Sequence, residues 1–188
     1  MVDDGTDDLE HRRAAWEKLG GGELVDCRAH HLAFNFSRWH SLYPPIQPTW
    51  GKLIRLLFSY KGLNASLDAI RVYQRESWGL VDGESCVVEL SSMAANNLGV
   101  VRNRQALREQ RIQYLQEKLH VHQPVFVVMY GTGYRPYWEQ IALGPFDADG
   151  LRAVRGTLAL TAPHPVAFGM KNSDWYRFGQ LLRAKSIR

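Results

Sequence analysis

His164 stands between two prolines, in the segment Ala162-Pro163-His164-Pro165 that follows the apolar run Thr157-Leu158-Ala159-Leu160-Thr161. An imidazole with a constrained backbone at a strand end, beside a helix N-terminus, can donate a hydrogen bond to a developing anion. The structural alternative is a histidine that caps a loop. Phe168 and Met170 follow in a glycine-containing turn, where a core has no need of large apolar groups; they are candidate wedges into a base stack, or else they pack under the last helix. Arg104, Arg108 and Arg111 recur at i, i+4 and i+7, with Arg102 just before them. One helix face then carries a basic stripe that follows a phosphate backbone or simply faces solvent.

Other chemistries find less support. His30-His31 and His120-x-His122 are the close histidine pairs. Neighbours on a strand point to opposite faces, and no Asp, Glu or Cys falls at a supporting spacing, so no metal is expected. Cys27 and Cys86 are too few for a four-thiolate zinc or iron–sulfur site and are expected to be reduced and buried. Gly131-Thr132-Gly133-Tyr134-Arg135 reads as a strand-to-helix turn without the Lys-Ser or Lys-Thr of a phosphate loop, and no Gly-x-Ser-x-Gly elbow is present.

The elements that must position these residues follow from periodicity and caps. Helices are expected at Asp8–Leu19, Trp50–Tyr60 after the proline-rich loop Tyr43–Pro48, from Ser66 through Tyr73, at about Arg104–His120, at Tyr137–Ala142 and at Trp175–Ala184. Asn172-Ser173-Asp174 supplies the cap of the last one. Strands are expected at Leu32–Phe36, Cys86–Leu90, Pro124–Gly131 and the run ending before His164. Continuously apolar strands separated by helices indicate a parallel sheet covered on both faces. The expected fold is therefore a three-layer α/β/α sandwich around a central four-stranded parallel sheet. Residues 1–22 are expected to form an acidic helix with a glycine hinge, and 23–188 one α/β domain.

Composition bounds the reading. The chain has 188 residues, 45% of them hydrophobic, and a formal charge of +4. One core suffices at that length. No apolar run approaches the roughly 20 residues of a membrane span. The acidic start, with Asp3, Asp4, Asp7 and Asp8, lacks the pattern of a secretory signal, so a cytoplasmic location is expected. A moderately basic body beyond that start is compatible with nucleic acid.

Taken together, Val-Val-Glu-Leu-Ser-Ser, the run Pro-Val-Phe-Val-Val-Met-Tyr-Gly followed by Tyr-Trp-Glu-Gln-Ile, and the terminal His-Pro with Asn-Ser-Asp-Trp-Tyr-Arg-Phe-Gly resemble the uracil-DNA glycosylase superfamily over roughly Leu32 to Leu182. The resemblance implies that superfamily's four-stranded parallel sheet and a nucleotide flipped out of DNA. It implies that Asn35 orients water against the sugar carbon, although the glycine and proline that flank this position in the family are absent here. Trp39 or Tyr43 would be the stacking platform. Glu89 would read the base edge where the family often has Asn, favouring a base that presents donors. His164 would stabilise the leaving base, and Phe168 to Met170 would supply the intercalating wedge.

The expected function is thus metal-free and cofactor-free hydrolysis of an N-glycosidic bond to a damaged or deaminated base in DNA, by a monomer. Asn35 and His164 would be catalytic, Glu89, Trp39 and Tyr43 would recognise the base, and Phe168, Met170, Asn172, Arg104, Arg108 and Arg111 would contact DNA. A catalytically silent nucleic-acid-binding module and a small-molecule hydrolase or transferase are the competing readings.

Overall fold

A computed structural model of the chain describes residues 6–33, 37–90 and 101–186, with side chains from residue 10 onward in the first stretch and from 108 onward in the third. The elements are α1 (Thr6–Lys18), α2 (Cys27–Ala33), a 3-10 turn (Ser37–His40), α3 (Pro48–Lys61), α4 (Leu67–Glu76), α5 (Val101–His122), β1 (Phe126–Tyr130), a second 3-10 turn (Thr132–Tyr134), α6 (Arg135–Ile141), β2 (Leu151–Val154), β3 (Thr157–Ala162) and α7 (Asn172–Ser186). The chain divides into two compact units, one made of Met1–Gln47 and Leu67–Arg108, the other of Pro48–Ser66 and Glu109–Arg188.

The second unit is built on a sheet of order β1-β3-β2. β1 runs parallel to β3 in a register that opposes Phe126 to Leu158 and Tyr130 to Ala162, and β2 pairs antiparallel with β3. Arg155 and Gly156 join β2 to β3 with φ of 48° and 86°. Two successive positive φ values give the two-residue hairpin whose twist matches its strands. Phe126, Val128, Tyr130, Leu158, Leu160 and Ala162 alternate onto one face, where they pack with Leu56 of α3 and Trp175 and Leu182 of α7. Met129 and Ala159, on the opposite face, are buried as well, so the sheet is covered on both sides.

α3 and α7 meet through small groups. Ser59 Oγ donates to the carbonyl of Tyr176 at 2.7 Å, and Gly179 is buried against α3. Pro48 opens α3, where a missing N–H costs nothing. At the start of α7, Asp174 Oδ2 accepts the Lys171 N–H at 2.8 Å. This is the reaching-back half of a capping box.

Arg152, from β2, donates to the carbonyls of Ala142, Leu143 and Pro145, so it satisfies orphan acceptors at the end of α6. Asp147 Oδ1 receives the N–H groups of Asp149 and Leu151, shaping the turn into β2.

The first unit is helical among its described residues. Asp26 Oδ1 accepts the Ala29 N–H at 2.8 Å and so caps α2. Gln74, 1% exposed, accepts the Gln47 N–H and donates to the carbonyls of Trp39 and Pro45. One buried carboxamide thereby fixes the course of the chain from Trp39 to Gln47.

The fold corrects the expected architecture. The sheet among the described residues has three strands, not four, and it is mixed instead of parallel. Leu32 and Ala33, expected in a first strand, end the helix that Asp26 starts; residues 34–36 lie outside the described residues. Cys86–Leu90, expected as a second buried strand, is irregular and exposed through Glu89. A run of five apolar-rich residues fits a strand only where another strand offers it an edge. The strand that does exist unforeseen, β2, is short and carries Arg152. Cys86 is exposed and Cys27 half-buried, against the expectation that both are buried.

At Gly179 an added Cβ would stand 2.2 Å from Leu56 O, 2.7 Å from Ser59 Cβ and 2.9 Å from Tyr60 N. These are mostly backbone atoms, which cannot step aside as a flexible side chain would. Gly179→Ala is expected to cost about 3 kcal/mol, read as a lowered urea midpoint; an unchanged midpoint would contradict this close approach.

Candidate functional site

Parallel pairing brings the C-terminal ends of β1 and β3 side by side, and the Gly131 N–H extends the ladder by bonding Ala162 O at 2.9 Å. Just beyond, the His164 ring stands edge-on to Tyr130, with centroids 5.2 Å apart and planes at 79°. The Val166 N–H donates to His164 Nδ1 at 3.3 Å. In a neutral imidazole the proton then resides on Nε2, which leaves an N–H donor free of that internal bond. Partial desolvation lowers the His164 pKa below the ordinary histidine value, which favours this neutral donor form.

The loop after His164 is fastened at two points. Pro165 is fully buried and Met170 packs against the core of the second unit. Lys52 Nζ, from α3, donates to the carbonyls of Pro165 and Met170 at 2.6 and 2.7 Å. Between these anchors the Ala167 N–H bonds His164 O and the Met170 N–H bonds Ala167 O. Gly169 takes a φ of 83°, a region glycine adopts freely. Val166 is half exposed, and Phe168 is exposed over its whole side chain.

The residues expected from the sequence therefore fall in different places. His164, Phe168, Met170 and Asn172 share this one loop and the start of α7, but Met170 faces the core while Phe168 faces solvent. Asn172 is exposed at the first position of α7. Arg111 lies on α5, its guanidinium 4.8 Å from the Tyr114 ring centre, and the Lys118 ammonium is 5.1 Å from the same ring. Arg104 and Arg108 lie on α5 as expected; Arg108 is half-buried, and the Arg104 side chain lies outside the described residues.

In the first unit, Trp39 is half-buried with the Arg38 guanidinium 4.8 Å from its ring centre. Tyr43 is 85% exposed. Glu89 is exposed and 4.0 Å from Arg12. Asn35 lies outside the described residues.

A histidine pair that the sequence reading did not foresee also occurs in the first unit. His31 Nδ1 and His40 Nε2 are 3.1 Å apart, from the end of α2 to the end of the 3-10 turn. Burial, then His40, His30 and Arg12, push the His31 pKa down to about 4. The two residues are nine apart with no local template, so only the tertiary structure brings them together. Among the described residues no group of three or more His, Cys, Asp or Glu could hold a metal ion, and no helix is long and apolar enough to cross a membrane. Burial, followed by Asp26, raises the Cys27 thiol to about 11, which keeps it from serving as a thiolate nucleophile.

Two measurements check these geometries. In ¹⁵N NMR at neutral pH, His164 is expected to carry its proton on Nε2; an Nδ1–H tautomer would contradict the Val166 contact. His31 in the folded state binds its proton more weakly than in the unfolded chain. Its contribution to stability is therefore complete above pH 6.5 and is lost as pH falls towards 4. Solvent screening of this half-buried ring limits the loss to about 1 kcal/mol. His31→Phe is expected to flatten that part of the urea midpoint against pH, and an unchanged slope would remove His31 as its source. The chain matches no protein-family model, no curated protein and no solved structure.

Proposed function

We propose that this protein binds DNA through the loop from His164 to Met170 and hydrolyses the N-glycosidic bond of a damaged or deaminated base. The observation that carries this reading is the pairing, on one fastened loop, of a neutral imidazole donor with a fully exposed phenylalanine. An aromatic wedge unstacks a base step at a cost of a few kcal/mol, which makes the target base accessible. In the reaction the electron pair of the C1′–N bond leaves with the base, and a water oxygen takes its place at C1′. The proton of that water passes to solvent. His164 Nε2–H would donate to the oxygen or nitrogen on which the departing base gathers charge, and a donor of this kind is worth about 3–4 kcal/mol.

A second reading, binding without cleavage, is favoured by the absence of glycine and proline beside Asn35 and by a carboxylate, Glu89, in place of an amide. Base release from labelled duplex and single-stranded oligonucleotides separates the two. Each probe carries one uracil, hypoxanthine, xanthine or mismatched thymine. Release is expected from at least one probe and is expected to fall at least about a hundredfold in His164→Ala with the fold intact. Salt-dependent binding with no release from any probe would establish the second reading.

A further inference from the structure

We propose that Lys52 is the positioning residue of the His164–Met170 loop, holding Phe168 away from the protein surface so that it is presented to nucleic acid. This rests on the reading of that loop as a DNA-binding element. A loop with an apolar tip has an alternative available to it. Folding Phe168 back onto neighbouring apolar surface would recover about 2 kcal/mol of burial, and nothing in its own chemistry holds it out in water. The internal bonds of the loop, Ala167 N–H to His164 O and Met170 N–H to Ala167 O, set local turns but do not fix how far apart its two ends lie.

Lys52 does that. Its ammonium bonds Pro165 O and Met170 O at 2.6 and 2.7 Å, carbonyls that lie on either side of the exposed tip. Charge-assisted bonds to neutral acceptors are stronger than ordinary amide bonds, and here two of them converge on one nitrogen. The base of that nitrogen is itself fixed, because Lys52 lies one turn before Leu56, which packs against α7. The loop is therefore referenced to α3 and is not free to choose its own shape. Pro165 is fully buried, and Met170 packs against the core. The ammonium thus adds a constraint on the backbone between them, which sets where the Val166–Gly169 tip can go.

The role belongs to presentation, since Lys52 spends two of its three donors on backbone carbonyls. Removing it is expected to cost nucleic-acid affinity through lost preorganisation, with the binding groups themselves still present. Lys52→Met keeps the length and apolar stem of the side chain and deletes both bonds. Lys52→Arg keeps the charge and can still donate to both carbonyls.

The test places 4-fluorophenylalanine at position 168 and records ¹⁹F NMR of the full chain, with and without a duplex containing one tetrahydrofuran abasic site. In the parent protein one narrow, solvent-exposed resonance is expected, and it should shift on adding duplex. In Lys52→Met the free resonance is expected to move or broaden, and affinity for the duplex to fall about tenfold, while a single cooperative urea transition shows that the fold is retained. Lys52→Arg should restore both. An unchanged free resonance in Lys52→Met overturns the positioning role whatever the DNA result. If the duplex shifts the resonance in no variant, the DNA-binding reading falls and the proposal of presentation to nucleic acid falls with it, whereas a Lys52-dependent free resonance would still leave Lys52 as the residue that orders the loop.

Discussion

At Gly179 the backbone of α7 lies so close to α3 that a single methyl group would overlap the carbonyl of Leu56. Much of the second unit follows from that distance. Trp175 and Leu182 reach the sheet only because α7 lies against α3 at this depth, and both are fully buried with Leu56 and Leu160. Ser59 adds a hydroxyl bond to a helix carbonyl at the same crossing, which a larger residue would prevent by spacing. Small groups at a helix contact trade side-chain burial for close backbone approach, and here that exchange places α3 beside the loop that precedes α7.

The consequence is a loop that combines a buried base with a solvated tip. Pro165 and Met170 are held by packing and by the ammonium of Lys52, whereas Phe168 contributes no burial at all. Single exposed apolar residues are common on protein surfaces, so exposure alone argues little. What gives it meaning is the neighbour: the imidazole of His164 is turned by the Val166 N–H and braced by Tyr130, at the ends of two parallel strands. Ligand sites in α/β sheets form beyond such strand ends.

The first unit is organised by polar groups to an unusual degree. Gln74 satisfies three backbone partners from a fully buried position, and a buried amide that found only some of its partners would be costly. The His31–His40 contact has the same character, since two adjacent rings of depressed basicity remain compatible only while at least one is neutral. Arg75 adds a bond to the carbonyl of Leu42, next to the exposed Tyr43. The segment from Trp39 to Gln47 thus owes its course to side chains 27 to 35 residues further along the chain, not to its own prolines alone.

The sequence by itself determined the elements whose signals are local. β1 is a continuous apolar run before a glycine, β3 a run stopped by Pro163, and α3, α4 and α7 show their periodicity within their own lengths. The placement of His164 just past a strand end, and of Phe168 in the turn after it, was legible for the same reason. Tertiary structure decided what depends on a partner. Leu32 joined a helix because Asp26 caps it, Cys86–Leu90 found no strand edge and stayed exposed, and β2 became a strand because Arg155 and Gly156 turn it onto β3. Met170 and Phe168, alike in the sequence, fall on opposite sides of the core boundary, and the loop that carries them is bonded by Lys52, a residue 113 positions before Pro165. No periodicity reports a contact of that span, because its energy comes from one nitrogen meeting two carbonyls that only the packing of α3 against α7 brings within reach.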